Sequence, residues 1–219
     1  MQLNELSYYT QQLLECDRFQ DYCPNGLQVE GRANIHHIVT GVTACQALLD
    51  AAIACQADAI LVHHGYFWKN EAPIIIGMKK RRLQSLLQHD ISLLAYHLPL
   101  DAHPILGNNA QLGAQLGLSM TRQFAEYGLG YIADLTEAIS LEKLIHQLES
   151  KLGRKVLPVG ESNALISCIA WCTGAAQSYL PAATAAGAQV FISGEISEST
   201  THWARENGVI YIAAGHHAT

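Results

Sequence analysis

A repeated order of apolar runs and polar strand ends constrains the fold of this chain more than any other feature. In the first copy, Ile38-Val39 runs into Thr40-Gly41, and a helical pattern follows through Leu48, Leu49, Ala52 and Ile53. A short buried run, Ala59-Ile-Leu-Val62, then passes straight into His63-His64-Gly65. A helix over 78–89 and a strand over 91–95 lead to Tyr96-His97. In the second copy, Ile169-Ala-Trp-Cys-Thr173-Gly174 takes the place of the first strand and its turn. An alanine-rich helix over 177–186 leads to Val190-Phe-Ile-Ser193, which ends in Gly194-Glu195 where the first copy has His63-His64. A helix over 198–206 precedes Val209-Ile-Tyr-Ile-Ala213 and then Gly215-His216, in the place of Tyr96-His97. Short apolar runs alternating with helical patterns are the mark of βαβ units, because a parallel strand is covered on both faces and must be apolar throughout. The repeat therefore predicts an α/β fold of two related βαβ-type lobes with mostly parallel central strands.

The lobes are expected over 1–118 and 161–219, with 119–160 as a connecting segment of different texture. Residues 2–16 predict an opening helix, and Pro24-Asn-Gly-Leu-Gln-Val-Glu-Gly31 begins with an Asn-Gly turn. In the connecting segment, Gly128-Leu-Gly-Tyr-Ile-Ala133 reads as a strand after a Gly-rich turn, and Ser140 is placed to cap a helix that starts beside it.

Composition narrows the classes of function. With 49% hydrophobic and 15% charged residues, the chain is expected to be globular rather than disordered. A net charge of −6 argues against a broad nucleic-acid surface, and Lys79-Lys80-Arg81-Arg82 reads as a solvated helix face. No basic-then-apolar leader opens the sequence, and no run of about 18 apolar residues suggests a membrane span. The six cysteines form no CxxC pair, so reduced thiols and a cytoplasmic setting are expected, with Cys168 and Cys172 in the core.

Parallel α/β sheets bind ligands beyond the C-terminal ends of their strands. His63 and His64 follow one such strand, His97 and Asp101 the next, and Glu195 and His216 the matching ends in the second copy. Imidazole and carboxylate together suit divalent transition metals such as Zn, Fe, Mn or Ni. The expected ligands are His63, His64, Asp101 and His216, at a site between the lobes. Adjacent strand residues point to opposite sides, so His63 and His64 are each expected to address a different ion of a pair. His36, His37, His89, His146 and His202 read as structural, and His103 is open between a structural role and a supporting one.

Three segments carry a family resemblance: Leu61-Val-His-His-Gly65, Tyr96-His-Leu-Pro-Leu-Asp-Ala-His103 and Ala214-Gly-His-His-Ala-Thr219. With Pro24-Asn-Gly-Leu-Gln-Val-Glu-Gly31 and Ile192-Ser-Gly-Glu195, they resemble the signature segments of the Nif-three-like dinuclear metal proteins, also called type 2 GTP cyclohydrolase I homologues, in their short bacterial form. The resemblance implies two metal ions per chain, the four ligands above, a further glutamate four residues after His216, and a homohexameric ring. The sequence ends at Thr219, one residue before that glutamate. The repeat places an acid there too, since Asp101 follows His97 by the same spacing, so a longer chain is expected. The implied activity is hydrolysis of a nucleotide or related small molecule, with His97 and Glu195 as candidate acid/base or supporting groups. The alternative is a non-enzymatic metal-binding ring that serves as an interaction or regulatory protein. No Walker-type phosphate loop is present.

Overall fold

In the computed structural model, which describes residues 1–161 and 163–219, the chain divides into two compact units, Met1–Leu100 and Asp101–Thr219. The first contains α1 (Leu3–Leu13), β1 (Gly26–Val29), β2 (Ile38–Thr43), α2 (Gln46–Ala54), β3 (Ala59–His64), α3 (Gly77–Gln88) and β4 (Ser92–Ala95). A short helix, α4 (Leu98–Ala102), starts at its end. The strands lie in the order β1-β4-β3-β2, with β2, β3 and β4 parallel and β1 antiparallel to β4.

The apolar runs of β3 and β4 divide between two faces with period two. Ile60, Val62, Leu93 and Ala95 pack with Leu49 and Ala52 of α2 and with Leu83 and Leu86 of α3. Ala59, Leu61, Leu94 and Tyr96 pack instead with Leu3 and Leu6 of α1. Burial on both faces is why these strands read as unbroken apolar runs. Gly65, directly after β3, has no room for a side chain: a Cβ there would lie 2.6 Å from that of Ala95 and 2.2 Å from Gln28 Oε1.

The second unit contains α5 (Asn108–Gln115), β5 (Arg122–Phe124), β6 (Gly130–Ile139), α6 (Leu141–Leu152), β7 (Leu157–Val159) and β8 (Ile166–Trp171). α7 (Leu180–Ala185), β9 (Val190–Ser193), α8 (Glu198–Glu206) and β10 (Ile210–Ala213) complete it. The sheet order is β5-β6-β8-β9-β10-β7, with β8, β9 and β10 parallel and the other three antiparallel to their neighbours. Its core holds Trp171, Ile192 and Ile212 against Leu144 and Leu148 of α6.

The two repeat copies form the parallel strands of the two sheets, as expected for a mixed α/β chain. The repeat is also longer than the sequence suggests. α6 and β7 precede β8 as α1 and β1 precede β2, and β7 lies antiparallel beside β10 as β1 does beside β4. The division therefore falls after Leu100 rather than after residue 118, and 119–160 is no separate connection. β6 pairs with β8 from Tyr131↔Trp171 to Asp134↔Cys168, which buries Tyr131, Ile132 and Ala133. Among the described residues, no helix is long and apolar enough to cross a membrane.

Candidate metal centre

Three imidazoles gather at the C-terminal end of the first sheet. The His63 and His64 ring centroids are 4.5 Å apart, and His97 lies 5.1 Å from the first and 5.8 Å from the second. One ring nitrogen from each lies within 4.8 Å of the others. The expectation that His63 and His64 turn to opposite sides is thus corrected: their rings converge. The pairing of β3 with β4 stops at Val62↔Ala95, while on its other side β3 stays paired with β2 as far as Thr43↔His64. Trp68 stands edge-on to His97 at 5.1 Å, giving the cluster an aromatic wall.

Hydrogen bonds fix how these rings present their nitrogens. His63 Nδ1 lies 2.9 Å from the Tyr96 carbonyl oxygen, which can only accept, so Nδ1 carries the hydrogen and the lone pair sits on Nε2. His97 Nδ1 is 2.7 Å from Asp21 Oδ1, which sets the same tautomer. His64 Nδ1 is 3.3 Å from the Thr43 hydroxyl, its neighbour across β2. A metal-binding histidine characteristically gives its other ring N–H to a carbonyl or carboxylate, which orients the ring and raises its basicity.

Asp21 was not singled out by the sequence reading, and no local signal marks it: its partner lies 76 positions away. Burial works to raise its pKa, but hydrogen bonds from His97, Asn25 and the Leu98 N–H outweigh this and hold it below the usual carboxylate range. Asp21, Cys23 and His97 also bring ligand atoms within 4.8 Å of one another. Burial, with Asp21 adding, pushes the Cys23 thiol up to about 12. The Asp21 oxygens are already taken by Tyr22 N, Asn25 Nδ2, His97 Nδ1 and Leu98 N, so this trio is a poor metal cage.

In the second unit, Asp101 Oδ1 accepts from Asn108 Nδ2 at 2.7 Å and lies 3.5 Å from the Thr173 hydroxyl. The buried Asn109 links the same two residues through their backbones, donating to the Asp101 carbonyl at 3.2 Å and accepting from Thr173 N at 2.8 Å. His216 Nδ1 lies 2.7 Å from Glu195 Oε1, and the Tyr211 hydroxyl donates to the Glu195 carbonyl. Gly194 permits this approach, since a Cβ there would meet the His216 Cα at 2.7 Å. His103 is used locally: its Nδ1 accepts from the N–H groups of Ile105 and Leu106 at 3.2 and 3.0 Å. His89 Nδ1 reaches the Ser85 carbonyl at 2.8 Å, and His36 and His37 give their backbone N–H groups to Asp58.

The family model described as Duf34/NIF3 (NGG1p interacting factor 3) matches residues 1–219. The chain belongs to that family. Two relatives of this Duf34/NIF3 chain bear the name "GTP cyclohydrolase 1 type 2 homolog". The one from Pseudomonas aeruginosa is 53% identical over 209 residues, spanning 94% of this chain and 82% of the relative. The one from Yersinia pestis is 55% identical over 216 residues, spanning 98% and 87%. Among solved structures, the protein ybgI, described as of unknown function, superposes with a TM-score of 0.95 at 49% identity, covering 100% of this chain and 88% of that one. TTHA1606 from Thermus thermophilus gives a TM-score of 0.88 at 33% identity, with the same coverage. The donor chemistry of this Duf34/NIF3 chain fits a divalent transition metal. Imidazole nitrogens converge, and two of the three rings are anchored through Nδ1 on oxygen acceptors.

Proposed function

We propose that this chain binds two divalent transition-metal ions, Zn, Fe, Mn or Ni, through His63, His64, Asp101 and His216, with His97 joining the ligand set. Metal binding is supported by one observation, the convergence of the His63, His64 and His97 ring nitrogens within 4.8 Å. The count of two ions and the part of Asp101 and His216 rest on the family resemblance. Glu195, hydrogen-bonded to His216, orients that ring and is the candidate acid/base or supporting group beside it. Ions of this class supply Lewis acidity, which polarises a bond toward attack by water. We infer a metal-dependent hydrolase, GTP cyclohydrolase type 2-like, acting on a nucleotide or related small molecule. The names of the relatives support that substrate class. A cytoplasmic setting is consistent with cysteines that are all free.

The test is a screen of GTP, other nucleotides and phosphate esters with metal-loaded protein. Turnover that disappears in His63→Ala supports the enzyme. Metal-loaded protein that turns over nothing in the panel favours a binding ring instead. That second reading draws support from an exposed apolar stretch, Ile74, Ile75, Ile76 and Met78, which suits burial against another copy. Self-association as a homohexamer belongs to both readings, and light scattering that reports a monomer overturns it.

A further inference from the structure

Asp21 divides its hydrogen bonds between its own loop and the His97 region. Its side chain is 2% exposed. Oδ1 lies 2.7 Å from His97 Nδ1 and accepts from Tyr22 N at 2.6 Å. Oδ2 accepts from Asn25 Nδ2 and from Leu98 N, both at 2.9 Å. A carboxylate accepts about four hydrogen bonds, so none of its capacity is left over for a metal. Asn25 closes the grip by accepting from the His97 backbone N–H at 2.7 Å. The segment from Asp21 to Asn25 therefore holds His97 at both its ring and its backbone, and it also engages the first N–H of α4.

The repeat supplies the comparison. His97 and His216 stand at matching strand ends, and each has Nδ1 2.7 Å from a carboxylate oxygen. The carboxylates come from unrelated places. Glu195 follows β9, whereas Asp21 lies in the loop between α1 and β1, outside the matched strand ends. The same pairing is thus built from two different places in the fold. We propose that Asp21 is a positioning residue: it locks His97 in the Nδ1–H tautomer with Nε2 aimed at the cluster of His63 and His64, and so raises the affinity of that cluster for a divalent transition metal. The consequence for affinity rests on the metal-binding reading above; the tautomer does not.

Two measurements on the full chain test this. In protein labelled with 15N-histidine and kept in chelator at mildly alkaline pH, long-range 1H–15N spectra should show His97 as the Nδ1–H tautomer. The Nε2–H tautomer in the wild type overturns the proposal. In competition titrations with Zn or Co(II), Asp21→Asn should bind metal about 10–100-fold more weakly, the range expected when an orienting partner is lost. Asp21→Glu should recover part of that loss, and the urea midpoint of each metal-free variant reports any general loosening. Wild-type affinity in a folded Asp21→Asn protein overturns the proposal. If that variant does not fold, the wild-type tautomer and Asp21→Glu decide. Wild-type protein that binds no metal refutes the proposed function instead, and the His97 tautomer then still decides whether Asp21 sets the ring.

Discussion

A buried carboxylate costs stability unless its oxygens are matched, and Asp58 shows how the first unit meets that cost. Only 7% exposed, it accepts from the N–H groups of His36 and His37 at 2.8 and 2.9 Å and from Arg32 Nη1 at 3.0 Å. The His36 N–H leads in lowering its pKa below the ordinary 3.8, against the opposing effect of burial, with the His37 N–H and Arg32 adding. A carboxylate whose pKa is depressed on folding contributes stability above the ordinary value and loses it as pH falls through the folded one. Below about pH 4 the urea midpoint of the wild type should therefore fall more steeply than that of Asp58→Asn. At neutral pH the variant should already be about 1–3 kcal/mol less stable, because an amide NH2 then opposes one of the donors. Parallel acid limbs for the two proteins would contradict this account. The Asp58 network was not legible in the sequence, since nothing local distinguishes this aspartate from an exposed one.

At the scale of the element, α6 is the case where local chemistry was readable. The Ser140 hydroxyl accepts from Lys143 N at 3.2 Å, which satisfies one of the N–H groups left unpaired in the first turn. Ser140→Ala should lower stability by about 1 kcal/mol in urea unfolding, and Ser140→Asp should retain most of it. Equal midpoints for wild type and Ser140→Ala would show the cap to be idle. β7 is the contrasting case. Three residues with Pro158 at their centre give no strand signal, and the strand exists because its backbone pairs with β10 from Tyr211↔Val159 to Ala213↔Leu157. Proline is tolerated there because β7 is the edge of its sheet.

For the whole molecule, metal binding and folding are linked. A ligand held only by the folded chain stabilises it by mass action, about 2.7 kcal/mol when the free ion is a hundredfold above its Kd. Chelator should therefore lower the Tm of the wild type and leave that of His64→Ala almost unchanged; an equal drop in both would mean that the metal acts elsewhere. By itself the sequence determined the α/β class, the parallel strands of both sheets and the polar residues at their ends. Those features are local: an apolar run must be covered on both faces, and whatever follows it stands at the sheet's C-terminal edge. Only the tertiary structure decided that 119–160 joins the second sheet, because strand pairing is set by partners far along the chain. It alone brought the His63 and His64 rings within 4.5 Å of each other. It alone brought Asp21 to His97, because a hydrogen bond across 76 positions depends on where the backbone folds back and leaves no trace in the residues between.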